Sequence, residues 1–458
     1  MRRTAAHATF ALVCVALVVA NAAVPSAPTG LHATPLFRSV VLHWDMHADT
    51  TVTGYRVYRS NTSGSGYSNR GWNPSSRTAT EYADAEMTNG TTYYYVITAV
   101  NGDGESGYSN EAVVTPTADC AVDVPYITSS WWRIGENEPD VSPYNNPGVH
   151  NACDFTIWKD DARKWHCVAC IRITTYPGST RLFHRWDADS ITQANWTPAG
   201  LFWTTGTVGA ADALGRTMGV NTPYTVEGRL QAPHCFLYGG TYYMFHNNAG
   251  AFCLASNDGD VFSQHTNYQG GSVFFSMGRD VMIFNNVAQD GKWYAYYCTS
   301  GMVARSASNL DGPWSATEST VRSAGNPESP FAVEHGSGIY LWQQNGVVYS
   351  TDPLDFNGDP ITFMWRGKYA PEIIEDDGNY YVSGYGGGIW VARMAWWPAQ
   401  ATPARPSASR SPAGSMTRVR DRVAWYDLRG RRVAPAVKVV GVRIAAGRDA
   451  AMEVPLGR

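Results

Sequence analysis

Short runs of β-branched and aromatic residues, bounded by Asn, Asp, Gly and Ser, recur along this chain and read as β-strands joined by turns. In the first part of the sequence such runs fall at 39–44, 54–59 and 92–100. Together they predict a small β unit over residues 25–117. Beyond it, residues 120–398 carry an internal repeat in which a tight Asp/Gly turn leads into an aromatic strand. Its five copies are Lys159-Asp-Asp-Ala-Arg-Lys-Trp-His-Cys167, Tyr238-Gly-Gly-Thr-Tyr-Tyr-Met-Phe245, Gln289-Asp-Gly-Lys-Trp-Tyr-Ala-Tyr296, Glu334-His-Gly-Ser-Gly-Ile-Tyr-Leu341 and Glu375-Asp-Asp-Gly-Asn-Tyr-Tyr-Val382.

Each copy reads as the turn between two strands of a hairpin. Anchored on Trp165, Tyr242, Trp293, Ile339 and Asn379, successive copies lie 77, 51, 46 and 40 residues apart. Apart from the first gap, which implies an insertion, this is the spacing of four-stranded blades, and it predicts a five-bladed β-propeller. An open sandwich with repeated hairpins is the alternative, but five copies are too many for one sandwich. Residues 399–416 are rich in Pro, Ala, Ser and Arg and read as a linker. After them, 423–433 and 439–444 read as strands of a short C-terminal β segment, 417–458. The predicted class is therefore all-β throughout.

Composition agrees with that class. Charged residues are 16% and aromatics 13% of 458 residues, with 44 Gly. The net charge of −4, with no basic stripe, gives no reason to expect a nucleic-acid partner. Met1-Arg2-Arg3, the apolar stretch from Phe10 to Ala20 and the small residues of Ala20-Asn21-Ala22 form a signal-peptide pattern, 1–22. The apolar stretch is too short for a membrane span and no second one follows, so a secreted or cell-surface protein is expected. Removing Cys14 leaves Cys120, Cys153, Cys167, Cys170, Cys235, Cys253 and Cys298, an odd number that requires at least one unpaired thiol. Cys167-Val-Ala-Cys170 has metal-motif spacing, but strand alternation would send its two thiols to opposite faces.

Several features of the first unit resemble a fibronectin type III domain: Trp44 at a strand end, Tyr82-Ala-Asp84, Asn89-Gly90 before the Tyr-rich strand, and the closing Ser109-Asn-Glu-Ala-Val-Val-Thr-Pro116. The resemblance implies a seven-stranded sandwich serving as a spacer or adhesion module. Tyr426-Asp-Leu-Arg-Gly-Arg-Arg-Val433 resembles the C-terminal sorting domains of some bacterial secreted proteins.

Candidate chemistry lies just upstream of the repeated hairpins, where polar residues precede an apolar strand. The stretches are Cys153-Asp154-Phe155, Gln231-Ala-Pro-His234, Arg279-Asp280-Val281, Glu328-Ser-Pro330 and Ala370-Pro-Glu372. Inner strands of a propeller converge on an axis, so residues in that register can meet. The series resembles the clan of glycoside hydrolase families 43, 32, 62 and 68, with Val281 standing where the related motifs carry Pro. The resemblance implies Asp154 as general base (inverting) or nucleophile (retaining), Asp280 as the group that tunes the acid and orients substrate, and Glu328 as general acid. Crowding by Asp280 is expected to keep Glu328 protonated. Gln231, His234 and Arg279 are candidate substrate binders, and Phe155, Trp158 and Trp342 candidate stacking platforms. Glu227 and Glu372 are rival carboxylates. The expected substrate is a polysaccharide or oligosaccharide of arabinan, xylan, fructan or galactan type, and the expected state is a monomer. No cofactor or catalytic metal is required, although a structural calcium, held on the axis in some relatives, is open. A non-catalytic carbohydrate-binding propeller and a pure adhesion protein are the competing readings.

Overall fold

The computed structural model describes residues 23–71, 74–175, 181–203, 230–247, 250–323, 328–344 and 346–399, and the backbone of 425–426 and 432–433. It is all-β. In the first unit one sheet pairs His32–Leu36, Ser39–His43 and Glu81–Asp84. The facing sheet runs Ser68–Asn69, Gly54–Ser60, Tyr93–Asn101, Gly104–Glu105, with Ala112–Val114 also paired to Tyr93–Asn101. Tyr93, Tyr95, Ile97 and Ala99 are two apart, so the pleat turns all four to one face, where they bury against Trp44, Tyr55 and Val57.

The second unit contains five separate antiparallel sheets. Their first strands, called inner strands below, are Asn151–Lys159, Gln231–Tyr238, Arg279–Asn286, Pro330–His335 and Tyr369–Asp376. Each inner strand packs against the inner strand of the next sheet, and the fifth returns to pack against the first. In sheets one to four the strand order follows the chain. Sheet five is different. Tyr369–Asp376, Asn379–Tyr385 and Ile389–Trp397 are completed by Trp132–Gly135 and Val124–Ile127, both hydrogen-bonded to Ile389–Trp397. The beginning and end of the unit thus share one sheet.

Sheets buried on both faces need apolar side chains at successive positions, and Trp165–Arg172 and Lys292–Cys298 have them. Trp186, Trp196, Trp293, Trp342 and Trp365 are fully buried between sheets. Truncating one such residue to Ala costs about 3–5 kcal/mol. The inner hairpins turn where the repeat predicts. Asp377 and Gly378 both have positive φ (49° and 78°), as a two-residue type I′ turn demands. The third copy departs from that expectation: it turns through a helical segment, Val287–Asp290, closed by Gly291 at φ 76°. The predicted insertion falls between Trp203 and Leu230, mostly outside the described residues, as does Glu227. At the C-terminus Trp425–Tyr426 pairs with Arg432–Val433; the remainder of the C-terminal segment and the linker lie outside the described residues.

The two units touch through the fourth and fifth sheets, Phe37 packing against Tyr126 and Trp397 of the fifth. Thr362 Oγ1 donates to Phe37 O (2.8 Å) and the Phe363 N–H to Ser39 Oγ (3.0 Å). Arg366 reaches across to Asp84, whose buried carboxylate also receives Arg59, Arg70 and the Tyr95 hydroxyl.

Candidate active site

Four of the five inner strands lose their hydrogen-bond register near their start. The breaks lie at Cys153/Phe155, Gln231/His234, Arg279/Met282 and Tyr369/Glu372, and the fourth strand begins only at Pro330. At these breaks Ala232, Asp280, Ser329 and Ala370 adopt left-handed backbone, with φ of 43°, 61°, 52° and 48°. Four side-chain-bearing residues in a conformation that disfavours them mark a place where the fold re-aims side chains. Asp154, the bulged residue of the first strand, and Asp280 occupy corresponding places. Glu328 does not: Ser329 takes that place and Glu328 precedes it by one residue. The expected equivalence of all three acids is corrected in this respect.

The three carboxylates are nevertheless brought together. Asp154 and Asp280 both line a constriction between the inner-strand starts, of about 30 Å³. Asp154 interacts electrostatically with Glu328, and Asp280 with both other acids. Burial, then the Asp154 charge, push Asp280 up to about 7 against the pull of Arg279. Burial also raises Asp154, opposed by Arg181 and Arg172. Crowding by Asp154 thus adds to burial at Asp280. Glu328 is paired with Arg279, Nη1 to Oε1 at 2.8 Å. The Ser329 N–H, on the peptide that follows Glu328, donates to Asp280 Oδ2 (3.3 Å), and the Asp280 N–H donates to Asn247 Oδ1 (3.4 Å). Asp280 therefore holds the backbone that carries Glu328.

Further along the axis stand His234 and Glu372. Glu372 accepts from the Ile157 N–H (2.8 Å) and faces His234 Nδ1 at 3.7 Å. His234 Nε2 contacts Ile283 O, so the imidazole is held below the mouth. A second cavity, of about 700 Å³, opens at the other ends of the inner strands between Trp165, Phe236, Tyr238, Glu334 and Glu375. Volume alone would choose that end. The clustered acids, the displaced carboxyl pKa values and the strained backbone choose the narrow one. Among the described residues no three His, Cys, Asp or Glu side chains converge as a metal site. His234 and Glu372 alone do not fit calcium, which takes six to eight oxygen ligands.

Other sequence-derived candidates fall elsewhere. Trp342 is 0% exposed and directs its indole N–H at Met364 Sδ; it packs between sheets and cannot stack on a sugar. Trp158 is buried too, donating to Gly259 O among His166, Phe202 and Phe262. Phe155 lines the constriction but is 3% exposed, a wall rather than a platform. Gln231, half-buried, begins the second inner strand, and Arg279 is exposed at the mouth. Cys167 and Cys170 bury in different clusters on the two faces of their sheet, so they do not form a joint site. Sequence reading missed Asn247, Ser329, Arg172, Arg181 and Tyr385. Tyr385, at the end of its strand, is raised by burial and then by Asp154.

The sequence model of the fibronectin type III domain matches residues 26–115. An amylopullulanase of Thermoanaerobacterium thermosulfurigenes is 40% identical over 93 residues, 20% of this chain and 5% of that protein. The chain thus spans a small fraction of the curated relative it matches. Among solved structures, an Fn3-like protein from Clostridium thermocellum is 33% identical, covering 20% of this chain and 95% of that one, with a TM-score of 0.19. An exo-1,5-alpha-L-arabinanase from a bovine ruminal metagenomic library is 13% identical over 55% of this chain and 95% of that one, with a TM-score of 0.37. The first unit of this protein is a fibronectin type III domain.

Proposed function

We propose that residues 120–398 form a five-bladed β-propeller that hydrolyses glycosidic bonds in a polysaccharide or oligosaccharide, carried outside the cell by the signal peptide 1–22. The fibronectin type III domain holds it and the C-terminal segment is a sorting appendage. The observation that carries the reading is the meeting of three acids from sheets one, three and four at one narrow mouth, with two of them raised above their ordinary range. Glycoside hydrolysis needs a carboxyl that gives a proton to the leaving oxygen and a carboxylate across the ring. Glu328 gives the proton. Asp154, whose ionised form is favoured by Arg172 and Arg181, acts as base or nucleophile. Asp280 acts through the Ser329 amide to aim Glu328 and holds a proton near neutral pH.

The test is reducing-sugar release from arabinan, xylan, fructan and galactan by wild type beside Glu328→Gln and Asp154→Asn. At least one polymer should be cleaved, and each variant should lose about 10³-fold or more in kcat while still folding, as shown by a melting temperature no lower than that of wild type. Sugar retention without release, in wild type and Glu328→Gln alike, would replace the hydrolase by a carbohydrate-binding propeller. Neither retention nor release would leave an adhesion protein.

A further inference from the structure

The first sheet places two arginines beside Asp154 that the repeat does not account for. Its second and third strands, Trp165–Arg172 and Leu182–Ala188, pair Ile171 with Leu182. One step outward, the same register sets Arg172 across from Arg181. Like charges directly opposite on neighbouring strands repel. Both side chains are half-buried, which raises the cost of leaving them without an anion. Arg172 spends its Nε on Asn151 Oδ1 (2.7 Å), and Arg181 Nη1 approaches the Cys170 thiol at 4.0 Å. Among the described residues neither guanidinium has a carboxylate at salt-bridge distance, although both act on Asp154. Across the mouth Arg279 is satisfied by Glu328.

The geometry points to a substrate that brings its own anion: Arg172 and Arg181 receive a carboxylate or sulfate carried by a sugar ring beside the scissile bond. This rests on the hydrolase reading and names its substrate class as an acidic glycan. Paired guanidiniums suit such a group because their planar forks can each donate twice to its oxygens.

The experiment compares kcat/KM on uronic-acid-bearing xylan and galacturonan oligosaccharides, on sulfated galactan oligosaccharides, and on neutral oligosaccharides of matched length. Wild type should prefer one anionic class over its neutral match by about tenfold or more, and the preferred class identifies carboxylate or sulfate. Arg172→Gln and Arg181→Gln should collapse that preference toward one, mainly through KM, with Arg181→Lys restoring part of it. Raising salt from about 0.05 to about 0.5 M should raise KM for the anionic substrates selectively. Equal loss on anionic and neutral substrates, with a displaced pH profile, would mean that the arginines serve only to keep Asp154 ionised and would overturn the proposal. So would a wild type that prefers neutral sugars. If nothing is cleaved the hydrolase reading falls separately. Calorimetric binding of the anionic oligosaccharides by wild type, weakened in Arg181→Gln, would then still support the anion site, and no difference would sink it.

Discussion

Asp280 concentrates the site's tension in one residue: it is 8% exposed, sits at φ 61° and shares its surroundings with two other acids. Its carboxyl titrates near 3.8 in the unfolded chain and is lifted to about 7 in the fold. Between those values the native state binds more protons than the unfolded state, so stability falls as pH rises through that window. Asn is neutral and tolerates left-handed backbone, so Asp280→Asn removes the charge and keeps the turn. The variant should be more stable than wild type at pH 8 by roughly 2–4 kcal/mol and by much less at pH 4, as read from denaturant midpoints. It should also lose activity, and the limb of the pH–rate profile near 7 should vanish. A pH-independent difference in stability would show that the carboxyl is not strained in this way. Asp154, Asp280 and Glu328 were legible because each stands before an apolar strand in a repeat. Arg172, Arg181 and Tyr385 were not, because Arg172 and Tyr385 end second strands and Arg181 leads into a third, where no polar position repeats.

At the level of elements, the second, third and fifth inner strands share one deformation, a register break at a left-handed residue. Ala232 and Ala370 adopt the same left-handed backbone as Asp280 without contributing a polar side chain. For residues other than glycine that conformation costs about 1–2 kcal/mol, part of which glycine forfeits again through its freer unfolded chain. Ala232→Gly and Ala370→Gly should therefore each stabilise by about 0.5–1 kcal/mol, seen as a higher melting temperature. Lower stability in both would mean that the methyl groups pack usefully at the constriction. Strand period and turn residues revealed the hairpins, since both are local. The bulges are not local: they arise where five strands crowd one axis, and so the one-residue offset of Glu328 could not be read from spacing. The same crowding explains Trp158 and Trp342, whose size suggested platforms but whose positions lie between sheets.

At the scale of the whole molecule, the fibronectin type III domain is bound to the ring rather than strung beside it. Asp84 has no exposed side-chain surface, and it gathers Arg59, Arg70 and Arg366, the last from the ring. Removing the carboxylate strands three guanidiniums, so Asp84→Asn should cost about 3–5 kcal/mol. Arg366→Met should cost less and act between units, splitting one calorimetric transition into two; a single undisturbed transition would show that the contact does not couple them. Acid should weaken the molecule as well. Burial holds His184 and His246 down to about 3, so the unfolded chain takes up their protons first, and their contribution, complete above about 6.5, is lost as pH falls from there. Melting temperature should accordingly drop between pH 7 and pH 4 in Asp280→Asn, where the opposing titration of Asp280 is removed. Finally, the shared fifth sheet pairs Trp132 with Val391, about 260 residues later. On a ribosome adding about 5–20 residues per second, the early strand waits some 13–50 s for its partner. During that interval an apolar edge beside Trp131 and Trp132 stays open to other nascent chains, so the yield of this protein in a cell depends on how that wait is guarded.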